Sequence, residues 1–188
     1  MKIGILGWGS LHYDKRELKI VDDKWYLDGP VLPIEFARIS SKSKKLTLVI
    51  SPAFDEVRSY YAISTLNDLE AAITNLAERE ETGVNNIGHI NFKTGVIKTK
   101  KMETELKKSL AIWNMQHNLD ALIWTDLNEN FKASINTPFS LEASLKYLED
   151  LPKDEFERAA SYILKAPLQT TTKHRPALTD FIKKRKLS

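Results

Sequence analysis

The spacing of the apolar residues changes along this chain of 188 residues, and that change limits the folds open to it. Up to about residue 98, short apolar runs alternate with turn-forming residues, a pattern typical of β-strands. We predict strands over 2–6, Val31–Ile39, Leu46–Ile50, 57–63, Ile87–Asn91 and 96–98. The second and third of these strands are expected to form a hairpin with a long loop.

One segment between these strands has helical spacing instead. Its apolar residues recur every three or four positions, at Leu69, Ala72, Ile73 and Leu76. Asn67 or Thr65 is predicted to cap the start of this helix. Gly83 is predicted to stop it, because glycine adopts the backbone conformation that ends many helices.

Beyond residue 98 the pattern becomes mostly helical, with one short strand over 120–125. Helices are predicted around the face shared by Leu106, Leu110 and Trp113, from Ser140 to Leu148, from Pro152 to Leu164, and over 177–184. Strands followed by helices favour the α+β class over an alternating parallel sheet. We expect a single domain over residues 1–188, with the strands mainly in 1–98 and a helical extension over 99–188.

Composition and charge exclude several classes of protein. The chain has no cysteine, so disulfides, thiolate catalysis and cysteine-based zinc sites are excluded. The net charge is only +3, and part of the basic excess lies in the tail Lys183-Lys184-Arg185-Lys186, so nucleic acid is not a predicted partner. The apolar run at 3–6 is too short for a signal peptide or a membrane span. We therefore predict a cytoplasmic protein that does not contact a membrane.

The first candidate site is Gly7-Trp8-Gly9-Ser10-Leu11, directly after the first strand. Two glycines let the backbone turn sharply and let a ligand approach main-chain N–H groups, which together can bind an anion. The hydroxyl of Ser10 adds a further donor. An ordinary tight turn also uses two glycines, so both interpretations stand. A dinucleotide fingerprint is excluded, because the third glycine and the helix opening are missing.

The second candidate is the charged run Glu78-Arg79-Glu80-Glu81 at the end of the predicted helix. Such a run is typical of a solvated helix face. Alternatively, one of its carboxylates points into a pocket, where burial would raise its pKa and suit it to act as a base. The residue types alone do not choose between these interpretations.

Glu35 and Arg38 form the third candidate, because they are charged residues in an otherwise apolar strand. They either line a pocket or mark the solvent face of an edge strand. Their odd spacing predicts that they lie on opposite faces. The guanidinium of Arg38 is suited to hold a carboxylate through two hydrogen bonds. The histidines show no metal-ligand spacing, and no cofactor motif is present.

The glycine loop resembles the opening motif of the γ-glutamylcyclotransferase superfamily, where a strand precedes Tyr-Gly-Ser-Asn or Gly-Tyr-Gly-Ser-Leu. Gly7-Trp8-Gly9-Ser10-Leu11 is similar to the second, ChaC-like form, with Trp8 in place of Tyr. ChaC-like members also carry an Arg-Glu pair after a helix and before a strand. Arg79-Glu80 occupies that place, followed by Ile87–Asn91. The resemblance covers roughly the first half of the chain.

The resemblance implies a small mixed β-barrel with flanking helices and a small γ-glutamyl or other anionic substrate. Glu80 would act as the general acid and base that releases 5-oxoproline from a γ-glutamyl amide, without a metal or cofactor. Substrate would be bound by Gly7, Trp8, Gly9, Ser10, Leu11 and Arg38. The alternative is a binding module that uses the same pocket for a small anionic ligand or a protein partner, without catalysis.

Overall fold

The computed structural model describes residues 1–51, 53–101 and 103–187 and has the predicted α+β character. Its strands are β1 (Ile3–Gly7), β2 (Val31–Ile39), β3 (Leu46–Ile50), β4 (Glu56–Arg58), β5 (Tyr60–Ile63), β6 (Ile87–Asn91), β7 (Ile97–Lys98) and β8 (Ala121–Thr125). Its helices are α1 (Leu69–Arg79), α2 (Glu103–Asn114), α3 (Phe131–Ile135), α4 (Leu141–Asp150), α5 (Lys153–Lys165) and α6 (Arg175–Leu187). No helix in the described chain has both the length and the apolar character needed to cross a membrane.

The chain divides into two compact units. The first consists of Met1–Leu32 and Arg58–Leu127, and the second of Pro33–Val57 and Asn128–Ser188. Each unit therefore combines segments from both halves of the chain. The single domain expected over 1–188 stays a prediction.

A five-stranded sheet forms the centre of the first unit, in the order β5-β1-β8-β6-β7. β1 pairs antiparallel with β5 and parallel with β8, and β6 pairs antiparallel with β8 and β7. All five residues of β1 are buried. A strand without polar side chains can be buried on both faces without leaving a polar side chain unpaired, and Ile-Gly-Ile-Leu-Gly is such a strand.

Helix α1 packs against this sheet through its apolar stripe. Ile73 and Leu76 of α1 belong to the same buried cluster as Ile3 and Ile123 of the sheet. Burying one large aliphatic side chain stabilises the fold by about 1.5–3 kcal/mol. The helix therefore lies firmly over β6 and β8, and its C-terminal end is held in a defined position.

The second unit contains a three-stranded sheet, in the order β3-β2-β4, together with packed helices. Helix α5 contacts β3, and α4, α5 and α6 contact one another. In the β2–β3 pair, Glu35 lies opposite Val49 whereas Arg38 lies opposite Thr47. β2 therefore has one extra residue between these points, a β-bulge that interrupts the alternation of side chains. The prediction that Glu35 and Arg38 face opposite sides rested on that alternation and loses its basis.

Most of the predicted elements are confirmed, including the β2–β3 hairpin, the helix capped by Ser140 and the strand after residue 120. The single strand predicted over 57–63 is instead split into β4 and β5, which belong to different sheets. The break lies at Ser59, whose N–H and Oγ donate to Pro30 O at 3.0 and 2.6 Å. Helix α1 is capped by Asp68, whose side chain accepts from Ala71 N at 2.9 Å, and not by Thr65 or Asn67.

The prediction of a small mixed β-barrel is wrong, because the described strands form two open sheets and no closed barrel. In the five-stranded sheet, β5 and β7 are the two edge strands. β7 has only two residues, too few to continue the ladder around to β5. The outer edge of β5 instead makes an isolated bridge between Tyr61 and Tyr26, and a second bridge joins Ser64, directly after β5, to Ile20.

The close approach of Gly88 in β6 to Trp124 in β8 generates a stability prediction. A Cβ atom at Gly88 would lie 2.4 Å from Cε2 of the fully buried Trp124. We expect Gly88→Ala to lower the free energy of unfolding by about 1–3 kcal/mol, because the indole ring has no free space to move into. Urea unfolding followed by tryptophan fluorescence measures this loss.

Gly83→Ala is the matched control, because a Cβ atom there meets nothing within 4 Å and the backbone has φ −76°. It should leave stability unchanged or raise it by about 0.4–1 kcal/mol. Equal stabilities for the two variants would contradict the tight packing of β6 against Trp124.

Candidate functional site

The loop over 7–11 begins where β1 ends and carries most of the predicted site residues. At Gly7 a Cβ atom would come within 2.6 Å of Cζ3 of Trp25. A glycine is therefore needed for the indole ring to lie against the backbone here. The chain then turns through a short 3-10 segment, Ser10–His12.

The backbone N–H groups of Gly9, Ser10 and Leu11 donate no hydrogen bond to any described residue. Gly9 and Leu11 are nonetheless buried, and Ser10 is half-buried. Buried backbone N–H groups in proteins are almost always paired. Successive N–H groups without a protein acceptor form the kind of concavity that binds anions. Anion binding by this loop stays a prediction, and these N–H groups are the donors available for it among the described residues.

Helix α1 ends beside this loop in a well-defined turn. Glu81 adopts the left-handed conformation, with φ 52°. Thr82 N donates to Ala77 O and Glu81 N donates to Glu78 O, both at 3.0 Å, which is the Schellman pattern. Gly83, the predicted stop, is extended and lies beyond the end of the helix. Glu80 is consequently the last residue before the chain reverses.

The guanidinium of Arg79 joins the end of α1 to the loop after β1. Its side chain is only 4% exposed. Nη1 and Nη2 both donate to Ser10 Oγ at 3.4 Å, Nη2 also donates to Asp14 O, and Nη1 donates to the carboxylate of Glu80. A buried guanidinium is stable only with several such acceptors. Ser10 Oγ and Glu80 Oε1 are therefore close neighbours, because both are partners of Nη1.

Glu80 is the least exposed of the three carboxylates in the charged run. Its side chain is 19% exposed, that of Glu81 is 52% exposed, and Glu78 is an exposed residue. Burial raises the pKa of Glu80 above its ordinary value, although the neighbouring Arg79 opposes this effect. A carboxyl with a raised pKa exchanges a proton more readily near neutral pH than an exposed one. The raised pKa therefore suits the carboxyl of Glu80 to act as a general acid or base.

Arg38, the remaining predicted site residue, belongs to the second unit. Its Nη1 donates to Asn128 O at 2.7 Å, and burial lowers its pKa. A role for Arg38 in holding a substrate carboxylate stays a prediction. We call the loop over 7–11 together with Arg79 and Glu80 the loop–helix site.

Arg79 is the member of the loop–helix site whose importance the sequence did not reveal. The pair Arg79-Glu80 was informative only as a motif beside the glutamate. The links from Arg79 to Ser10 and Asp14 span more than sixty residues and depend on the packing of α1 on the sheet. Within residues 1–51, 53–101 and 103–187, no three His, Asp or Glu side chains cluster as a metal site requires.

The opposing effects on Glu80 generate a titration prediction. In Arg79→Gln the guanidinium is lost, so the main effect that opposes burial is removed and the pKa of Glu80 should rise further. Arg16→Gln is the control, because Arg16 lowers the pKa of Glu80 less than Arg79 does. Carboxyl ¹³C NMR titration measures both variants. An unchanged or lower pKa in Arg79→Gln would contradict the described ion pair.

No protein-family model, curated protein or solved structure matches this chain. The resemblance to the γ-glutamylcyclotransferases therefore stays a prediction carried by its two motifs. The functional argument rests on the geometry of the loop–helix site.

Proposed function

We propose that this chain is a γ-glutamylcyclotransferase-like enzyme that releases 5-oxoproline from a small γ-glutamyl amide. One observation carries the proposal. A single buried guanidinium, that of Arg79, contacts both Ser10 of the loop and the carboxyl of Glu80. A carboxyl with a raised pKa thus shares a hydrogen-bond partner with the hydroxyl of Ser10, on the loop whose N–H groups at Gly9, Ser10 and Leu11 donate to no described residue.

The proposed reaction is intramolecular. The α-amine of the γ-glutamyl group attacks its own γ-carbonyl carbon, and a new C–N bond closes the five-membered ring. Glu80 takes the proton that the amine loses and then gives it to the departing amine as the original amide bond breaks. The products are 5-oxoproline and a free amine, so atoms and protons balance.

Each part of the loop–helix site has a task in this scheme. The N–H groups of Gly9, Ser10 and Leu11 would hold the negative charge that develops on the carbonyl oxygen, or a substrate carboxylate. Trp8 and Leu11 are each 6% exposed and would supply apolar walls. Under this proposal the first unit is the counterpart of the barrel of that family, and the protein acts in the cytoplasm.

A second function, anion binding without catalysis, is favoured by one specific observation. The carboxylate of Glu80 is already engaged by Arg79, which holds it as an ion pair and so opposes its use as a base. In that case the free N–H groups would still bind a small anionic ligand. The two functions differ in whether Glu80 is needed for anything beyond the fold.

The central prediction of the enzyme proposal concerns Glu80→Gln. This change keeps the shape of the side chain and removes the base, so release of 5-oxoproline from γ-glutamyl dipeptides or glutathione should fall about 100–10,000-fold. Glu78→Gln and Glu81→Gln are the controls, because these carboxylates are exposed and Glu81 pairs with Arg16 at 2.6 Å. Both should retain activity near that of the wild type.

Activity that survives in Glu80→Gln would refute the catalytic assignment. Absence of activity on every γ-glutamyl compound, combined with saturable binding of 5-oxoproline or phosphate, would favour the binding module. Binding should then be weakened by Ser10→Pro, which removes one loop N–H group.

The pH dependence of the reaction is a further prediction. Only ionised Glu80 can accept a proton, so kcat/KM should rise with pH through the pKa of Glu80. Because burial raises that pKa, the midpoint of the acidic limb should lie above 4.5, the ordinary value of a glutamate. Initial rates measured across the acidic range test this. A midpoint at or below the ordinary value would show that another group controls the limb.

A further inference from the structure

The second unit contains a cavity of about 880 Å³ that lies among its own residues. Three phenylalanine rings form one wall. Phe139 makes edge contacts with Phe54 and Phe131, with ring centroids 5.1 and 5.0 Å apart. This volume falls within the range of small-molecule sites, which combine apolar walls with a few fixed polar groups.

Glu35 supplies the fixed charge of the cavity. It lines the cavity and yet is only 1% exposed. Its Oε1 accepts hydrogen bonds from Phe36 N at 2.8 Å and from Thr172 Oγ1 at 2.5 Å, and its Oε2 accepts one from His174 N at 2.9 Å. All three donors are neutral. In the described part of the chain, no lysine or arginine is paired with this carboxylate, whose one nearby ionisable partner is His174.

His174 places its ring between the carboxylate and the aromatic wall. Nδ1 lies 4.0 Å from Glu35 Oε2, and the ring centroid is 5.3 Å from that of Phe139. Nδ1 is enclosed and has no hydrogen-bond partner among the described residues. In a neutral imidazole at this position, the nearby carboxylate favours the tautomer with its proton on Nδ1, which leaves the lone pair on Nε2. The neutral ring then has a hydrogen-bond acceptor for a ligand in the cavity, which His174 lines.

The loop that carries Thr172 and His174 is held in place before any ligand binds. The guanidinium of Arg175 donates to the carbonyl oxygens of Ala166, Pro167 and Thr170. Three such bonds fix the backbone on the N-terminal side of α6. A preorganised polar group costs less to engage than one on a mobile loop.

The charges around the cavity favour a cation. Four carboxylate residues line it, Glu35, Asp55, Glu129 and Glu142, against two lysines, Lys132 and Lys173. The carboxylates outnumber the basic groups of the lining even when His174 is counted as a cation. The faces of aromatic rings also attract cations. An anion would instead meet an excess of carboxylates.

We propose that the cavity of the second unit binds a small organic ammonium compound with an apolar or aromatic body. The body packs against Phe54, Phe131 and Phe139. The ammonium group donates a hydrogen bond to Nε2 of His174 and is attracted by the buried charge of Glu35. This site is separate from the loop–helix site in residues and in ligand charge, and it does not depend on the proposed cyclotransferase activity.

Three probes of similar size and different charge test the proposal on the full chain. Benzylamine is a cation at neutral pH, benzyl alcohol is neutral and benzoate is an anion. Binding is followed by NMR shifts of the His174 ring and of the surrounding backbone amides. We expect saturable binding of benzylamine, and binding of the other two that is weaker by about tenfold or more.

Two variants test the named residues, and a third serves as the control. His174→Phe keeps an aromatic ring against Phe139 and removes the acceptor, and Glu35→Gln removes the charge. Each should weaken benzylamine binding about tenfold. Glu157→Gln removes an exposed charge of α5 outside the cavity lining and should bind as the wild type does. If Glu35→Gln fails to fold, His174→Phe decides the outcome.

The proposal is overturned by any of three results. The first is that benzylamine gives no saturable shifts at these residues. The second is that benzoate or benzyl alcohol binds as tightly as benzylamine. The third is that folded His174→Phe binds benzylamine as well as the wild type does.

Discussion

The interaction on which the loop–helix site depends is the burial of one guanidinium, that of Arg79. Its acceptors lie on the loop after β1, on the segment that follows and on Glu80 itself. Taking a charged group out of water costs several kcal/mol unless acceptors replace the lost hydration. The loop and the helix end must therefore keep their positions if Arg79 is to stay buried. The packing of α1 on the sheet and the Schellman turn at Glu81 make that arrangement possible.

The candidate carboxyls of the two units, Glu80 and Glu35, have different hydrogen-bond partners. In the first unit Glu80 has a guanidinium beside it, so its negative charge is largely balanced while burial still raises its pKa. In the second unit Glu35 receives hydrogen bonds from neutral donors, and its charge remains to act on whatever enters the cavity. In the first arrangement burial and the guanidinium act on the pKa of Glu80 in opposite directions, and the second arrangement suits attraction of a cation. The sequence marked both carboxyls as candidates, Glu35 as a charged residue in an otherwise apolar strand and Glu80 as the glutamate of the Arg-Glu pair.

The sequence predicts those parts of the fold that depend on local pattern. The bounds of β2 and β3 are set by dense apolar runs, and the cap at Ser140 by hydrogen bonding within one turn. Prediction from the sequence fails where the structure depends on contacts between segments that are far apart in the chain. The break between β4 and β5 depends on the carbonyl of Pro30, and β8 lies between β1 and β6, which leaves an open sheet and not a barrel. The motif at 7–11 and the Arg-Glu pair were predictable, but the bond that joins them was not, because it forms only in the folded chain.

The central claim is that the free N–H groups of the loop and the carboxyl of Glu80 act on one ligand. A crystal structure of the protein with 5-oxoproline bound tests this most directly. The account predicts that an oxygen of the product accepts hydrogen bonds from N–H groups of Gly9, Ser10 or Leu11. It also predicts that the lactam nitrogen lies within about 3.2 Å of the Glu80 carboxyl, the reach of a general acid or base. A product bound elsewhere, or bound to the loop with Glu80 turned away, would contradict it.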